Sequence, residues 1–257
     1  MTEVLCGTSF SKSLLSRLAG DLDAELQAWR SRPLEAKAYP YLFVDACYEK
    51  VRVNRRVVSQ GVLLVSGVRQ DGFREILGVE VADTESEATY QELFRSLKAR
   101  GLSGVELVVS DDHEGLKAAV FRHFQGASWQ RCQVHYARNL LGMVSAARRK
   151  DLAADLRAIF AATSSTEQAP GMASSVARRW REKGNEKVAE HIEEHIEECL
   201  SCLSFPESHR RRIRTTNGQE RLNQEIKRRT RVVRIFFPNR EACLRLVTAL
   251  AVEQSEE

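Results

Sequence analysis

One carboxylate interrupts an otherwise apolar run of the sequence. Asp45 lies in the segment LFVDAC, where its neighbours are apolar. A lone carboxylate in a strand that is buried on both faces costs free energy unless it is paired, protonated or bound to a metal. Asp45 is therefore either a structural residue, paired with a Lys or Arg or placed at a sheet edge, or a functional one. We favour the functional interpretation.

A second carboxylate follows a short apolar segment. Asp111 comes directly after VELVVS, a run typical of a strand buried on both faces. Ligands of α/β proteins gather at the carboxyl ends of such strands, which favours a functional role for Asp111. An Asp can instead cap the helix predicted to begin at Glu114. Asp112 lies nearer that helix and suits the cap better, but the choice between Asp111 and Asp112 stays open on the sequence alone.

A third carboxylate lies among basic residues. In TTNGQERLN, Asn217 followed by Glu220 fits a capping box, which is the structural interpretation. In the functional interpretation, a helix delivers Glu220 into the most basic part of the chain. Carboxylates bind Mg²⁺ and arginines hold phosphates, so this combination suits metal-dependent phosphoryl transfer on DNA. Glu225 is the reserve candidate.

Cys132 and His135 form a C-x-x-H pair. As half of a zinc site they would need two further ligands. The candidates lie on one later helical segment: His191, His195, Cys199 and Cys202. We favour the simpler interpretation, in which Cys132 packs in the core and His135 orients a group near the active site.

The net charge of +4, from 39 basic and 35 acidic residues, conceals an asymmetry. The segment 209–240 holds eleven Lys and Arg residues but only two acidic ones, so the rest of the chain is net negative. Such a basic block is either a solvated helix or a surface for a polyanion, of which nucleic acid is the commonest in a cytosol.

Hydrophobic periodicity predicts the elements that must position these residues. Three strands are followed by an alternation of helix, strand, helix, strand and helix, which indicates a mixed sheet covered by helices. A ribonuclease-H-like core has this order. Patterns from 138 to 203 are helical, with a loop at 163–172. The predicted ranges are helix 9–30 with Ser9 or Ser11 as its cap, strands 41–53, 57–67 and 75–81, helix 85–100, strand 105–110, helix 114–124, strand 128–134, a helix from 136, and a final helix 241–254.

Composition excludes several classes of protein. A hydrophobic share of 43% and a charged share of 29% are those of a globular domain rather than a collagen-like or disordered chain. No apolar run approaches the roughly 20 residues of a membrane span, and the first residues do not resemble a secretory signal. We therefore expect a cytoplasmic protein that does not associate with membranes.

Four sequence blocks in this order carry a family resemblance: YPYLFVDACYEKVR, VVSDDHEGL, WQRCQVHYARNL and RTTNGQERLNQEIKRRTRVVRIFFPN. With them, the chain resembles the Mutator-like transposases of bacterial insertion sequences, which use a DDE catalytic triad. The resemblance implies an α/β, ribonuclease-H-like mixed sheet with flanking helices and an all-helical insertion. It implies that Asp45, Asp111 and Glu220 are the catalytic and metal-binding triad, holding Mg²⁺ or Mn²⁺ as two ions.

The resemblance also assigns the remaining site residues and the partners. It implies DNA as partner, both as element ends and as target, a homo-oligomer on DNA, and a bacterial, nucleoid-associated location. The supporting residues are Cys132, His135 and Asn217. The residues expected to contact DNA are Arg214, Arg221, Asn223, Lys227, Arg228, Arg229 and Arg231.

Four regions follow from this comparison: a partial helix-turn-helix remnant (1–35), the first part of the catalytic core (36–137), an all-helical insertion (138–208), and the last catalytic helix with a basic C-terminal segment (209–257). The chain departs from the family in Asp112, which stands where Gly is expected, and in a shorter N-terminal region. We expect DNA strand cleavage and strand transfer. The alternative is an inactive, truncated remnant that binds DNA or inhibits the full-length enzyme.

Overall fold

The structure, a computed structural model, describes residues 11–34, 37–162, 168–232 and 236–256 of the 257-residue chain. The side chains of residues 231, 232 and 256 lie outside this description.

Helices and strands alternate along most of the described chain. They are α1 (Lys12–Arg30), β1 (Tyr41–Val53), β2 (Arg56–Val68), β3 (Arg74–Ala82), α2 (Glu87–Ala99), β4 (Leu107–Ser110), α3 (Glu114–His123), β5 (Ser128–Arg131), α4 (Gln133–Gly142), α5 (Ala146–Ala161), α6 (Gln168–Glu182), α7 (Glu186–His195), α8 (Glu207–Arg210), α9 (Asn217–Val232) and α10 (Arg240–Glu256). Two short 3-10 turns, Glu197–Cys199 and Ser201–Ser204, lie between α7 and α8.

The five strands form one mixed sheet in the order β3-β2-β1-β4-β5. The first three strands are antiparallel neighbours, whereas β4 runs parallel to β1 and β5 runs parallel to β4. The long β1–β2 hairpin turns at Asn54 and Arg55, which both have positive φ angles. This arrangement of strands and flanking helices confirms the predicted α/β, ribonuclease-H-like fold.

The two faces of β1 pack against different helices because successive side chains of a strand alternate between its faces. Leu42 and Val44 are buried in a cluster with side chains of α2 and α3. Phe43 and Cys47 point the other way, toward clusters that include α4 on one side and α9 and α10 on the other. Asp45 shares the face of Phe43 and Cys47, so it points toward the side of the sheet that α4 and α9 cover.

A helical block between β5 and α9 packs around a core that it shares with Phe43, Leu107 and Val109 of the sheet. The fully buried Trp180 lies in this core, and its indole Nε1 donates to Asp155 Oδ2 at 2.8 Å. The predicted loop at 163–172 is wrong in its second half, because α6 begins at Gln168; residues 163–167 lie outside the described part. Pro170 is tolerated there because the first-turn N–H groups of a helix have no intrahelical partner.

The first helix lies against the last one. The Arg245 guanidinium pairs with the Asp23 carboxylate at 2.6 Å, and Arg30 donates to Thr248 Oγ1 at 3.2 Å. Ser11 caps α1, as predicted, by accepting from the N–H of Leu14. The division into four regions, with a helix-turn-helix remnant at 1–35, stays a prediction, and residues 1–10 lie outside the described part. None of the described helices is long and apolar enough to cross a membrane.

Candidate active site

The sheet brings the first two predicted carboxylates together. In the parallel pair of β1 and β4, Tyr41 lies opposite Leu107 and Phe43 lies opposite Val109. The same register, extended by two residues, places Asp45 beside Asp111, which directly follows β4. Asp45 is only 8% exposed, whereas the Asp111 side chain is half exposed. One carboxylate is therefore buried in the sheet while its neighbour faces the solvent at the end of a strand.

Helix α9 places two side chains of one face against this pair. Asn223 Nδ2 donates to Asp45 Oδ2 at 2.8 Å, and Glu220 lies one turn earlier on the same helix. That Asn223 contacts DNA stays a prediction. Asn223 is buried and turned toward the sheet, because its amide solvates the buried carboxylate.

His135 lies between Asp111 and Glu220. Its Nδ1 is 3.9 Å from Asp111 Oδ1, and its Nε2 is 3.6 Å from Glu220 Oε1. The predicted supporting residue Cys132 caps the same helix, α4, and its buried sulfur accepts from the backbone N–H and the hydroxyl of Thr216, both at 3.4 Å. Because Thr216 directly precedes α9, this contact ties the helix of His135 to the helix of Glu220.

The charges in this cluster act on one another. The pKa of Asp45 is raised to about 6, mainly because burial penalises its charged form; Asp111 and Glu220 raise it further, while His135 lowers it. The pKa of His135 is raised by its hydrogen bond to the Cys132 thiol and by the neighbouring carboxylates, against the effect of burial. The shifts of Asp45 and His135 show that both groups lie within reach of the neighbouring carboxylates.

The shift of Asp45 predicts a pH dependence of stability. Its folded-state pKa of about 6 lies above the ordinary Asp value of 3.8, so the folded protein binds more protons than the unfolded chain between these values. The stabilisation that protonated Asp45 gives is complete below about pH 4 and is lost as the pH rises through about 6. Relative to an Asp45→Asn variant, we expect the wild-type free energy of unfolding to fall by about 3 kcal/mol over this window. Urea unfolding of both proteins from pH 4 to pH 7 measures this difference. If the free energies of unfolding of the two proteins change in parallel with pH, the raised pKa of Asp45 is contradicted.

The donor atoms of the cluster fit a hard divalent cation. Asp45, Asp111 and Glu220 supply carboxylate oxygens, which Mg²⁺ prefers. Two buried polar atoms beside them, His135 Nδ1 and Asn223 Oδ1, have no hydrogen-bond partner among the described residues.

The side chains do not yet converge on one point. In the described part of the chain, no three His, Cys, Asp or Glu groups are arranged to hold an ion. Glu220 is turned toward Arg138, which donates to its Oε1 at 2.9 Å. Since no such group of three is found among the described residues, the zinc alternative for Cys132 and His135 has no further ligands there.

Asp111 and Asp112 differ in their partners. Asp112 pairs with Arg131 at 3.0 Å and with Lys117 at 3.5 Å, on the side away from the cluster. Asp112 is not the predicted helix cap, because His113 Nδ1 accepts the N–H of Leu116 instead. The ion pairs hold the Asp112 carboxylate elsewhere, and the geometry therefore favours Asp111 as the member of the cluster.

Asn217 does not form the capping box that was considered for Glu220. Helix α9 begins at Asn217, so Thr216 rather than Asn217 occupies the position before the helix, and Asn217 is exposed. The Glu220 carboxylate does not cap the helix but contacts Arg138 and His135, and it therefore belongs to the cluster.

The predicted DNA-contacting residues are not equally available. Arg221 and Lys227 are exposed, whereas Arg214 donates to the Phe160 carbonyl at 3.0 Å. Arg228 and Arg229 both pair with Glu225, at 2.6 and 2.8 Å. The side chain of Arg231 lies outside the described residues. The reserve candidate Glu225 is occupied by these two arginines, which lower its pKa to about 2.

Three residues near the cluster were missed by the sequence analysis. Arg138 pairs with Glu220, Arg131 is buried against Asp112, and Gln219 donates to the backbone carbonyls of Phe43 and Leu64. Arg138 could have been found, because it lies three residues after His135 and therefore on the same helical face. The other two depend on contacts between distant segments.

Comparisons with known proteins show the family of the chain. The model of the transposase Mutator family matches residues 1–257. The chain is 46% identical over 250 residues to the transposase for insertion sequence element IS406 of Burkholderia multivorans, covering 97% of this chain and 63% of that protein. It is 44% identical to the ISRM5 transposase of Rhizobium meliloti and 36% identical to the IS256 transposase of Staphylococcus aureus. Both matches cover the whole of this chain, and they cover 63% and 65% of the two relatives, respectively. The chain thus spans less than two thirds of the length of these relatives.

Proposed function

The chain belongs to the Mutator family of transposases, and from this premise we propose that it catalyses metal-dependent cleavage and strand transfer of the DNA of an insertion sequence. The observation that supports the proposal best is that Asp45, Asp111 and Glu220 lie in one cluster with His135. The three carboxylates come from β1, from the end of β4 and from α9, so only the fold brings them together.

We assign the metal to these three carboxylates, as Mg²⁺ or Mn²⁺ and as two ions. When bound, such ions activate an attacking oxygen and stabilise the leaving one. Asn223 holds the buried Asp45 carboxylate in place through its 2.8 Å hydrogen bond. Glu220 contacts Arg138 and His135, so it would exchange these contacts for the metal if it held an ion together with Asp45.

His135 is positioned to balance charge during the reaction. It lies 3.9 Å from Asp111 and 3.6 Å from Glu220, and its raised pKa favours the protonated imidazole at neutral pH. A protonated His135 offsets the repulsion among the carboxylates. Cys132 and Thr216 fix the orientation of this ring and of helix α9, which are the supporting roles we propose for them.

The proposed DNA surface is the exposed side of α9 with its flanking basic residues. Arg221 and Lys227 are exposed on this helix, while Arg228 and Arg229 share Glu225. Basic side chains on one helix suit the phosphate backbone, because they release counterions on binding. We propose the element ends and the target as the DNA partners and a homo-oligomer as the active assembly.

Metal removal tests the proposed reaction. With supercoiled plasmid as substrate, we expect nicked circles in the presence of Mn²⁺ or Mg²⁺ and none after addition of EDTA, because the carboxylates need the ions to activate the attacking oxygen. Agarose gel electrophoresis measures the nicked fraction. Plasmid binding without nicking at any metal concentration would instead support the inactive, DNA-binding alternative.

A further inference from the structure

A large cavity lies at the amino-terminal end of β1, four residues before Asp45. It is bounded by Tyr41, the first residue of β1, by the turn between β2 and β3, and by the segment that leads into α9. Its volume is about 590 Å³, a size typical of a ligand site. None of the three proposed catalytic carboxylates lines it, so the proposed function leaves this cavity unused.

Arginines dominate the charge of the cavity wall. Arg69, Arg74, Arg211 and Arg212 line it, against a single carboxylate, Glu106. Arg69 is already paired, with Asp71 outside the wall. Across residues 11–34, 37–162, 168–232 and 236–256, the other three arginines have no salt bridge and no side-chain hydrogen bond to any described residue. The cavity therefore presents positive charge that the protein itself does not neutralise.

Arg74 contacts two elements in this wall. Its guanidinium carbon lies 4.1 Å from the centre of the Phe43 ring of β1. A guanidinium nitrogen also lies against Gly218 in the first turn of α9. Burial lowers the pKa of Arg74, although an arginine remains charged at neutral pH. A half-buried charge without a partner is costly, and a bound anion removes that cost.

The position of the cavity relates it to the carboxylates. Tyr41 precedes Asp45 by four residues of the same strand, which corresponds to roughly 13 Å. Phosphates of one DNA strand advance by about 3.4 Å per nucleotide along the helix axis. A strand whose scissile phosphate lies at the carboxylates can thus place another phosphate at the cavity about four nucleotides away.

We propose that this cavity binds a backbone phosphate of the DNA strand on which the carboxylates act, with Arg74 as the central ligand and Arg211 and Arg212 at the rim. A guanidinium suits this role because it binds phosphate oxygens in a bidentate manner. The assignment rests on the proposed function, which supplies the strand and its direction.

The salt dependence of DNA binding tests the assignment. With a fluorescent duplex and anisotropy between 50 and 300 mM salt, chosen as roughly the range over which phosphate contacts respond, we expect Arg74→Gln to weaken binding about tenfold. The slope of log Kd against log salt should fall by about 0.9, the value for one lost phosphate contact. Arg178→Gln, an exposed arginine of α6, is the matched control and should leave the slope unchanged.

A second variant covers the case in which Arg74→Gln does not fold. Arg211 and Arg212 are both exposed, so the double variant R211Q/R212Q removes the rim charge without touching the core, and its slope should fall by about 0.9, because the cavity binds one phosphate. If Arg74→Gln folds, an unchanged slope of log Kd against log salt in that variant overturns the assignment. If it does not fold, an unchanged slope in the double variant overturns the assignment.

Inorganic phosphate distinguishes a DNA phosphate from a free one. We expect phosphate to raise the Tm of the wild type but not of Arg74→Gln, and to compete with the duplex. Phosphate stabilisation with an unchanged duplex slope would mean a site for free phosphate and would overturn the proposal. Absence of plasmid nicking by a wild type that still shows the Arg74 effect would overturn the proposed function alone.

Discussion

Asp45→Asn is expected to abolish metal-dependent nicking while duplex binding stays within about twofold of the wild type. The variant keeps the shape of the side chain and an oxygen that can accept from Asn223. It removes the charge that we propose binds the metal. Loss of a residue that merely supports a metal ligand costs about 10–100-fold in activity, so loss of the ligand itself should cost more than about 100-fold. Nicking rates and anisotropy on the same preparations measure both effects.

The same variant should be more stable than the wild type at pH 7. The buried Asp45 carboxylate is costly when charged, as its raised pKa indicates, and the amide carries no charge. Asp151→Asn, an exposed carboxylate on α5, is the control and should change neither nicking nor stability. An Asp45→Asn protein that nicks at the wild-type rate would remove Asp45 from the active site.

Arg131→Gln is expected to produce the largest loss of stability. Arg131 is 2% exposed and pairs with Asp112 at 3.0 Å and with Glu198 at 3.2 Å. Glu198 belongs to the helical block, whereas Asp112 belongs to the segment after β4 that also carries Asp111. Arg131 therefore joins the helical block to this segment of the sheet domain. Breaking a buried ion pair by removing one partner typically costs about 3–5 kcal/mol. For a chain of this size, we expect the Tm to fall by roughly 6–12 °C.

The effect on nicking should accompany the loss of stability, because the segment that carries Asp111 loses an anchor. At a temperature where the variant is folded, we expect about a 10-fold lower rate, as for other residues that support a metal ligand. Arg179→Gln is the matched control, since Arg179 pairs with Asp155 at 2.6 Å on the exposed surface, where such pairs contribute about 0–1 kcal/mol. Equal Tm values for the two variants would show that burial of Arg131 has no energetic consequence.

Local patterns in the sequence were sufficient to predict much of the fold. The strand at 41–53 has the predicted bounds, and the helix predicted at 85–100 forms as Glu87–Ala99. Its predicted apolar face, Tyr90, Leu93, Phe94 and Leu97, is buried. In these segments, periodicity and burial depend on neighbours in sequence, which is why the predictions succeed.

The contacts inside the candidate site could not be predicted in this way. Asn223 and Asp45 are 178 positions apart, so no local pattern indicates that they form a hydrogen bond. Asp112 was predicted to cap α3 on the basis of local preference, but ion pairs with Arg131 and Lys117 hold it elsewhere. Long-range charge pairing outweighed a capping preference of about 1 kcal/mol.

The order of the elements along the chain has a consequence for synthesis. The sheet is complete once β5 has formed at residue 131, so Asp45 and Asp111 can already be neighbours in a nascent chain. Glu220 follows only after the helical block, on α9. Because domains generally fold as the chain leaves the ribosome, the third carboxylate arrives last. Translation products that end within the helical block therefore contain Asp45 and Asp111 but not Glu220, and under the proposed assignment they lack part of the metal site.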